Sequence, residues 1–391
     1  MAQAMTFDGA RIDDLLAGAV RDGVFEGVCA IVVDRDRVVH TAAAGAARAD
    51  TMFRNASMTK APATVGALQL VEQGRLDLDA TVESILPEFA QLQVLDGFDG
   101  DVPRLRAPAS RATVRQLMTH TSGCGYTFTN ADLRRYVQLT GAPDLLSGLK
   151  ASMMGPLARD PGTLWEYGVS TDWLGFVVEA VSGQTLDVYL REHLYEPLGM
   201  HDTTFSPSAE QTSRLLALRF RAADGSLTSL DLDVPAAPEW SSAGHGSYGT
   251  IGDYGRFIRA MLRDGELDGE RVLRAETVER AFSDHLRGVP LPTLMKSANP
   301  VLTNDVPALA VAQGWGLGFH LLQQDIPGAR SSGTGDWAGL FNCYYWIDRA
   351  AGLGAALMTQ VLPFFDMRIV QVLLGLEAET YGQLGGAARA A

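Results

Sequence analysis

A serine followed three residues later by a lysine is the first feature of this sequence that could do chemistry. Ser57 and Lys60 are separated by Met58 and Thr59. At the start of a helix, residues i and i+3 lie on one face, so the serine hydroxyl and the lysine amine can meet. A serine becomes a nucleophile when an adjacent base takes its proton, and a neutral lysine amine can be that base. Short motifs of this kind also arise by chance, so the pair carries little weight alone.

A tyrosine further along the chain could complete a proton-transfer set. Tyr167 follows Trp165 and Glu166, directly after the turn-forming residues 161–163. From a loop that faces Lys60, its phenol could share a proton with the amine and protonate a leaving alcohol. Taken alone, the same tyrosine is more simply interpreted as a side chain that packs beneath its own loop.

Small residues in the last third of the chain are suited to holding a substrate carbonyl. Residues 335–340 read Gly-Asp-Trp-Ala-Gly-Leu and open a strand-like run. A backbone N–H from this strand, together with the N–H of Ser57, would make an oxyanion hole. A tight turn into an edge strand is the competing interpretation.

Other catalytic signatures are missing from the sequence. It contains no GxSxG elbow, no HExxH, no His and Asp cluster at zinc-ligand spacing, and no Walker or Rossmann glycine loop. Residues 244–249 are glycine-rich, but no strand precedes them, so a phosphate cradle is not favoured. Within that segment, His245 is interpreted either as a turn residue or as part of a pocket wall. We therefore expect no metal and no cofactor.

Composition limits the class of protein and the class of partner. The chain has 391 residues, of which 47% are hydrophobic and 20% charged, as in an ordinary globular protein. A formal net charge of −14 argues against nucleic acids and anionic membrane surfaces as partners.

Three cysteines without a CxxC pair are expected to be reduced and buried. The acidic start has no signal-peptide pattern and no apolar run is long enough to span a bilayer, so we expect a cytoplasmic protein that acts on small molecules. The sequence leaves open whether it forms a homo-oligomer.

The elements that must position these residues can be predicted from periodicity. A helix is expected within the first 25 residues, a β-hairpin over 27–45, and a helix from about Ser57 to Gln73 that stops at Gly74. The other predicted helices cover 111–120, 132–150, 170–181, 184–196, 251–264, 274–283 and 365–382, and further strand-like runs cover 314–322, 339–348 and 352–360.

Strands at both ends and helices in the middle indicate an α/β (α+β) fold. We predict one α/β domain built from residues 1–80 and 250–391 and an inserted, mainly helical domain at 81–249. The active site is expected in the cleft between them. The proline-containing segment 285–312 has poor periodicity and is predicted to be a loop that contacts substrate or a partner subunit.

Taken in order, these motifs resemble the serine β-lactamase/penicillin-binding-protein superfamily. More closely, they are similar to the family VIII carboxylesterases, which have the class C β-lactamase fold. This resemblance implies a β-lactamase-like antiparallel sheet flanked by helices, plus an inserted, mostly helical domain. The resemblance covers nearly the whole chain, through the segments 53–79, 114–126, 161–175, 194–205, 248–262 and 352–366. It implies that Ser57 is the nucleophile, that Lys60 and Tyr167 transfer protons, and that the backbone N–H groups of Ser57 and Leu340 form the oxyanion hole. Lys60 and Tyr167 would titrate as a coupled pair, so which of them takes the first proton stays open.

Departures from the pattern bear on the substrate. The β-lactamases of this group carry Lys-Thr-Gly where this chain has Trp337, Ala338 and Gly339, so the charge expected to contact a β-lactam carboxylate is missing. Val169 stands where a Tyr-x-Asn motif would place asparagine. Both changes favour neutral, apolar esters. The family's esterases usually have glycine where this chain has Ala338, which we expect to crowd the strand.

The sequence thus predicts a serine esterase that hydrolyses short-chain or aromatic carboxylic esters through an acyl-enzyme on Ser57. Acyl transfer to another alcohol is the first alternative, and weak β-lactamase or D-amino-acid peptidase activity is the second. A non-catalytic, penicillin-binding-like protein that only binds ligands is the alternative from another class. Candidate substrate-binding residues are Tyr126, Phe128, His245, Trp337, Ala338 and Gly339, with Trp165 and Trp240 as further aromatic residues near the motifs.

Overall fold

The structure is a computed structural model that describes residues 7–231 and 238–388. Its α-helices are α1 (Ala10–Arg21), α2 (Lys60–Glu72), α3 (Val114–Met118), α4 (Ala131–Thr140), α5 (Ser170–Ser182), α6 (Leu186–Leu190), α7 (Ala209–Ser213), α8 (Ile251–Leu262), α9 (Ala275–Ala281) and α10 (Met367–Ala388). Within the described residues, none of these helices is long and apolar enough to cross a membrane.

The strands divide into one large sheet and several small pairings. They are β1 (Gly27–Asp34), β2 (Val38–Gly45), β3 (Phe53–Arg54), β4 (Val94–Asp99), β5 (Val102–Arg106), β6 (Arg219–Arg221), β7 (Leu227–Ser229), β8 (Tyr248–Gly249), β9 (Glu266–Leu267), β10 (Glu270–Arg271), β11 (Leu294–Met295), β12 (Val306–Pro307), β13 (Gln313–Trp315), β14 (His320–Leu322), β15 (Gly335–Gly339), β16 (Cys343–Asp348), β17 (Leu353–Met358) and β18 (Val361–Leu362). The large sheet has seven strands in the order β13-β14-β15-β16-β17-β1-β2, and every neighbouring pair is antiparallel.

The large sheet is covered by helices on both faces. In β1, Val28, Ala30 and Val32 pack towards α1 and α10, whereas Cys29 and Ile31 pack into the main core with α2 and α8. Because successive side chains of a strand point to opposite faces, a strand covered on both sides is apolar along its whole length. This accounts for the unbroken apolar run that the sequence shows here.

The predicted fold class is confirmed. The N-terminal strands β1 and β2 join the C-terminal strands β13–β17 in one antiparallel sheet, and helices α3–α7 lie in the chain between them. All three cysteines are buried and free, as expected. The exact division into domains at 80/81 and 249/250 stays a prediction, and its residues 1–6, 232–237 and 389–391 lie outside the described part of the chain.

Two local predictions were wrong. Periodicity predicts neither helix nor strand in the glycine- and proline-containing segment 97–110, yet the β-hairpin β4–β5 extends through its first part. The glycines and the proline hide the strand pattern, and Gly100 has φ +58° in the turn. The predicted helix 132–150 ends at Thr140, because Gly141 adopts φ +69° and closes it with a left-handed C-cap. Short 3₁₀ turns follow in place of further helix.

Candidate active site

Ser57 lies in a single 3₁₀ turn, Ala56–Thr59, which leads directly into α2. The residue before it, Ala56, has φ +46°, a backbone conformation that is costly for a residue with a side chain. The turn is held in place by Thr59, whose Oγ1 donates to the Ala56 carbonyl at 2.7 Å and lies 2.8 Å from the Ser247 hydroxyl. As the second residue of the turn, Ser57 has a backbone N–H among the donors that a helix start leaves without an internal partner.

Lys60 is the first residue of α2 and is only 3% exposed. Its Nζ lies 3.1 Å from Ser57 Oγ, 3.0 Å from the Tyr126 hydroxyl and 2.6 Å from the Gly244 carbonyl oxygen. A carbonyl can only accept a hydrogen bond, so one Nζ hydrogen is directed at Gly244. The two hydroxyls can exchange protons with the amine, and one of them belongs to Ser57.

Tyr167 places a phenol on the other side of the serine. Its hydroxyl lies 2.6 Å from Ser57 Oγ, and the Trp337 indole Nε1 donates to the same phenol oxygen at 3.2 Å. Ser57 Oγ therefore has a hydrogen-bond partner in both Lys60 and Tyr167. This is the geometry that a nucleophile and its proton-transfer partners require.

Two further buried rings surround the amine and the phenol. Burial, reinforced by the negative charge of Asp172, holds the pKa of Tyr126 well above its ordinary value, so Tyr126 stays a neutral phenol. The ring of His120 lies 5.1 Å from that of Tyr167. Burial, with the nearby charge of Lys60, keeps the pKa of His120 well below its usual range, so His120 stays neutral.

The end of strand β15 comes directly beside the nucleophile turn. A Cβ at Gly339 would lie 2.4 Å from the backbone oxygen of Asn55, so only glycine permits this approach. Leu340 is the next residue, immediately after the strand, and it lines the same cavities as Ser57. The structure thus brings together the two residues whose N–H groups are predicted to form the oxyanion hole.

Two cavities meet at Ser57. The larger has a volume of about 860 Å³ and mixes apolar residues with charged and polar ones, among them Lys150, Glu239 and His245. The smaller, of about 310 Å³, is bounded next to Ser57 by the aromatic rings of Trp165 and Trp337. Both cavities have Ser57, Phe128 and Leu340 in their walls. A serine between two cavities can exchange a group between ligands bound on either side.

The predicted substrate-binding residues lie in the walls of these cavities. Tyr126 and His245 line the larger one, Trp337, Ala338 and Gly339 line the smaller one, and Phe128 lines both. Trp240 lines the larger cavity and Trp165 the smaller. The 285–312 segment also reaches the site, because Leu291, Met295 and Leu309 line the smaller cavity. Their roles in binding stay predictions.

Ala338 does not have the crowding effect expected from the sequence. It packs against the hydrophobic cluster formed by α1, α10 and the far face of the sheet, whereas its neighbour Trp337 packs with Trp165 and Tyr167. Successive residues of a strand point to opposite faces, so an alanine in place of glycine adds its methyl group on the side away from Tyr167.

Sequence reasoning missed several groups of the site. The sequence predicts Tyr126 only as part of the pocket wall, yet its hydroxyl contacts Lys60 directly. The Gly244 carbonyl that accepts from Lys60 could not be predicted, because every residue has a carbonyl and residue type does not reveal which one is used. Gly168 was also overlooked: a Cβ there would lie 2.3 Å from the Cys124 carbonyl oxygen. That close approach lets the Tyr167 loop pack on the segment that carries Tyr126.

The model of the Beta-lactamase family matches residues 12–377 of the chain. The chain belongs to the beta-lactamase family. The superfamily resemblance drawn from the motifs is thereby confirmed, and it spans the nucleophile turn, the Tyr167 loop and strand β15 alike.

Curated relatives of the chain include an acyltransferase and an esterase. The chain is 34% identical over 337 residues to "Monacolin J acid methylbutanoyltransferase" from Aspergillus terreus, which covers 81% of this chain and 78% of the relative. It is 32% identical over 330 residues to "Lovastatin esterase" from Penicillium rubens, covering 80% and 81% of the two chains.

Solved structures of beta-lactamase-family proteins show the same fold. A mutant of simvastatin synthase (LovD) from Aspergillus terreus superimposes with a TM-score of 0.83 at 28% identity, covering 96% of this chain and 97% of the other. EstCE1, described as a hydrolase with promiscuous acyltransferase activity, superimposes with a TM-score of 0.75 over 95% of this chain and 98% of its own, at 21% identity. The latter likeness is one of fold.

Proposed function

We propose that this protein is a serine acyltransferase and esterase that takes an acyl group from a carboxylic ester onto Ser57 and passes it to an alcohol or to water. The observation that carries the proposal is the position of Ser57 Oγ, 3.1 Å from Lys60 Nζ and 2.6 Å from the Tyr167 hydroxyl, where two cavities meet. This geometry supports the proposal because it offers a candidate nucleophile, two candidate proton carriers and space for two ligands.

The proposed reaction has two balanced halves. Ser57 Oγ attacks the ester carbonyl while its proton passes to the Lys60 and Tyr167 pair, and the backbone N–H groups of Ser57 and Leu340 stabilise the oxyanion. The pair returns that proton to the departing alkoxide, which leaves as an alcohol, and an ester bond to Ser57 remains. In the second half an incoming alcohol or water gives its proton to the same pair and attacks this ester, and Ser57 regains its proton.

Transfer to an alcohol stands ahead of hydrolysis alone in this proposal. The sequence alone favours hydrolysis, but the relatives named above include an acyltransferase and an esterase, and LovD is named as a synthase. The small, aromatic-walled cavity suits an apolar acyl group, and the larger one suits a bulkier acceptor with polar groups. Trp337 in place of a lysine makes β-lactam hydrolysis the weaker candidate.

The test combines trapping with product analysis. The protein is mixed with p-nitrophenyl butyrate, and intact-mass spectrometry of the quenched sample is expected to show a butyryl adduct that maps to the Ser57 peptide. With 1-hexanol present, hexyl butyrate is expected beside butyric acid. Butyric acid alone would restrict the function to hydrolysis, and no adduct together with no p-nitrophenol release would overturn the proposal in favour of a ligand-binding protein.

Trp337 is expected to limit the length of the acyl group. Replacing it with alanine removes an indole from the wall of the smaller cavity, so the ratio of kcat/KM for p-nitrophenyl octanoate to that for the butyrate should rise about tenfold, the scale of discrimination a hydrophobic pocket reaches. Trp337→Phe is the matched control, because it keeps a ring but loses the N–H donated to Tyr167. An unchanged ratio in Trp337→Ala would remove Trp337 from the acyl site.

A further inference from the structure

A chain of hydrogen bonds leads from a buried carboxyl group to the wall of the larger cavity. Asp172, in the first turn of α5, is fully buried. Its Oδ1 accepts hydrogen bonds from Ser242 Oγ at 2.5 Å and from the Gly244 backbone N–H at 2.9 Å. Ser242 Oγ in turn lies 2.6 Å from Nδ1 of His245 and accepts the His245 backbone N–H at 3.1 Å. Nothing in the proposed reaction uses these three side chains.

This series of hydrogen bonds determines which ring nitrogen of His245 carries the proton. A serine hydroxyl has one hydrogen, and Ser242 gives it to Asp172. Ser242 can then only accept from the histidine ring, so Nδ1 must be the protonated nitrogen of His245. In the neutral ring Nε2 is left as a lone-pair acceptor.

His245 is neutral and accessible. Burial lowers the pKa of its imidazole, and the charge of Lys60 acts in the same direction, while the carboxyl groups of Asp172 and Asp144 oppose them. The residue is nevertheless only partly buried and lines the larger cavity. Within the described residues, Nε2 takes part in no hydrogen bond, and it is not among the polar atoms sealed from solvent. Nε2 is therefore free to bind a donor in the cavity.

The same segment is tied to the catalytic centre. The Gly244 carbonyl oxygen accepts a hydrogen bond from Lys60 Nζ at 2.6 Å, and His245 is the residue that follows Gly244. A Cβ at Gly244 would lie 2.3 Å from Asp172 Oδ2, so glycine is needed for the carboxyl group to sit this close. The structure thus places a pre-oriented acceptor nitrogen one residue from the group that holds the lysine.

We propose that His245 Nε2 accepts a hydrogen bond from a second, non-reacting hydroxyl of the acyl acceptor, so that the larger cavity selects acceptors with more than one hydroxyl group. The reacting hydroxyl gives its proton to the Lys60 and Tyr167 pair, which leaves His245 to bind another. A volume of about 860 Å³ exceeds what a small monoalcohol needs. This inference rests on the proposed function, since it requires acyl transfer to an alcohol.

The experiment compares diols with monoalcohols as acceptors. With p-nitrophenyl butyrate as donor, linear α,ω-diols of four to eight carbons compete with water, and so do the primary monoalcohols of the same lengths. The ratio of ester to acid product is independent of how fast the acyl-enzyme forms. After correction for its two equivalent hydroxyls, a diol of suitable length is expected to give a ratio about tenfold above its monoalcohol, the effect of one well-placed hydrogen bond.

Variants of the chain then test the residue. His245→Leu is expected to abolish the diol advantage. His245→Gln keeps an acceptor oxygen on a side chain of similar reach and is expected to retain part of the advantage. Ser242→Ala frees the ring to change tautomer and is expected to reduce the advantage severalfold. No diol advantage in the wild type, or an undiminished one in folded His245→Leu, would overturn the inference. Transfer to monoalcohols in the same assay would show that the proposed function still stands, whereas failure to form any butyryl adduct would remove both.

Discussion

Ser57→Ala is expected to lower the rate of p-nitrophenyl butyrate hydrolysis by about 10⁴-fold or more, the loss seen when the nucleophile of a serine enzyme is removed. Without Oγ no acyl-enzyme can form, so ester transfer to hexanol should disappear to the same extent. Folding should be preserved, because alanine deletes one oxygen atom from a turn that Thr59 and Ser247 hold independently.

The control for this variant is Ser332→Ala. Ser332 is exposed, and its backbone N–H donates a hydrogen bond to Asp325, while its side chain makes none within the part of the chain that the structure describes. It should behave as wild type in the p-nitrophenyl butyrate assay and in thermal unfolding. Equal hydrolysis by folded Ser57→Ala and by the wild type would refute the Ser57 mechanism. Loss of the folded state in Ser57→Ala would be detected by circular dichroism, and Ser57→Cys, which keeps a nucleophile, would then replace it.

Lys60→Met is expected to lower kcat/KM for the same ester by about 10³-fold, the contribution that a positioned general base makes. Methionine keeps an unbranched side chain of similar length in the buried site but offers no atom that can accept the Ser57 proton. The free energy of unfolding should change by no more than about 2 kcal/mol, because loss of the hydrogen bond to the Gly244 carbonyl and relief of the buried amine act in opposite directions.

The chain supplies a matched control in Lys296, one of its three lysines. It is exposed, follows β11 in the 285–312 segment and lines neither cavity, and it makes no hydrogen bond or ion pair among the described residues. Lys296→Met should retain nearly full kcat/KM. A Lys60→Met enzyme within tenfold of wild type would show that Tyr167 alone carries the proton, and a Tyr167→Phe variant measured beside it would reveal how the two share it.

The fold could be predicted from the sequence because its signals are local or periodic. The apolar run of β1, the turn to β2 and the helix of Ser57 all follow from spacing within a few residues. Hairpin β4–β5 was not predicted, because its glycines and proline resemble those of a loop. In the structure, a bulge between Leu95 and Phe98 accommodates Gly97 within the paired strands.

In the candidate site, too, local contacts could be predicted and contacts between distant segments could not. Ser57 and Lys60 are three positions apart where the turn leads into α2, so their contact follows from local spacing and could be predicted. The motif at residues 165–167 made Tyr167 a candidate, and family resemblance then assigned roles to Tyr167 and Leu340. No spacing could place either beside Ser57, since Tyr167 lies 110 residues away from Ser57 and reaches it at 2.6 Å only after the chain has folded.

The surroundings of the nucleophile could not be predicted from the sequence. Whether Tyr126 contacts Lys60, which cavity each aromatic ring lines, and which nitrogen of His245 is free all depend on contacts between segments far apart in the chain. Burial is the physical reason: it changes the pKa of a side chain and removes competing water, and burial is a property of the packed molecule. Local spacing in the sequence therefore predicts the Ser57 and Lys60 pair, whereas the packing of distant segments sets which side chains and cavities surround it.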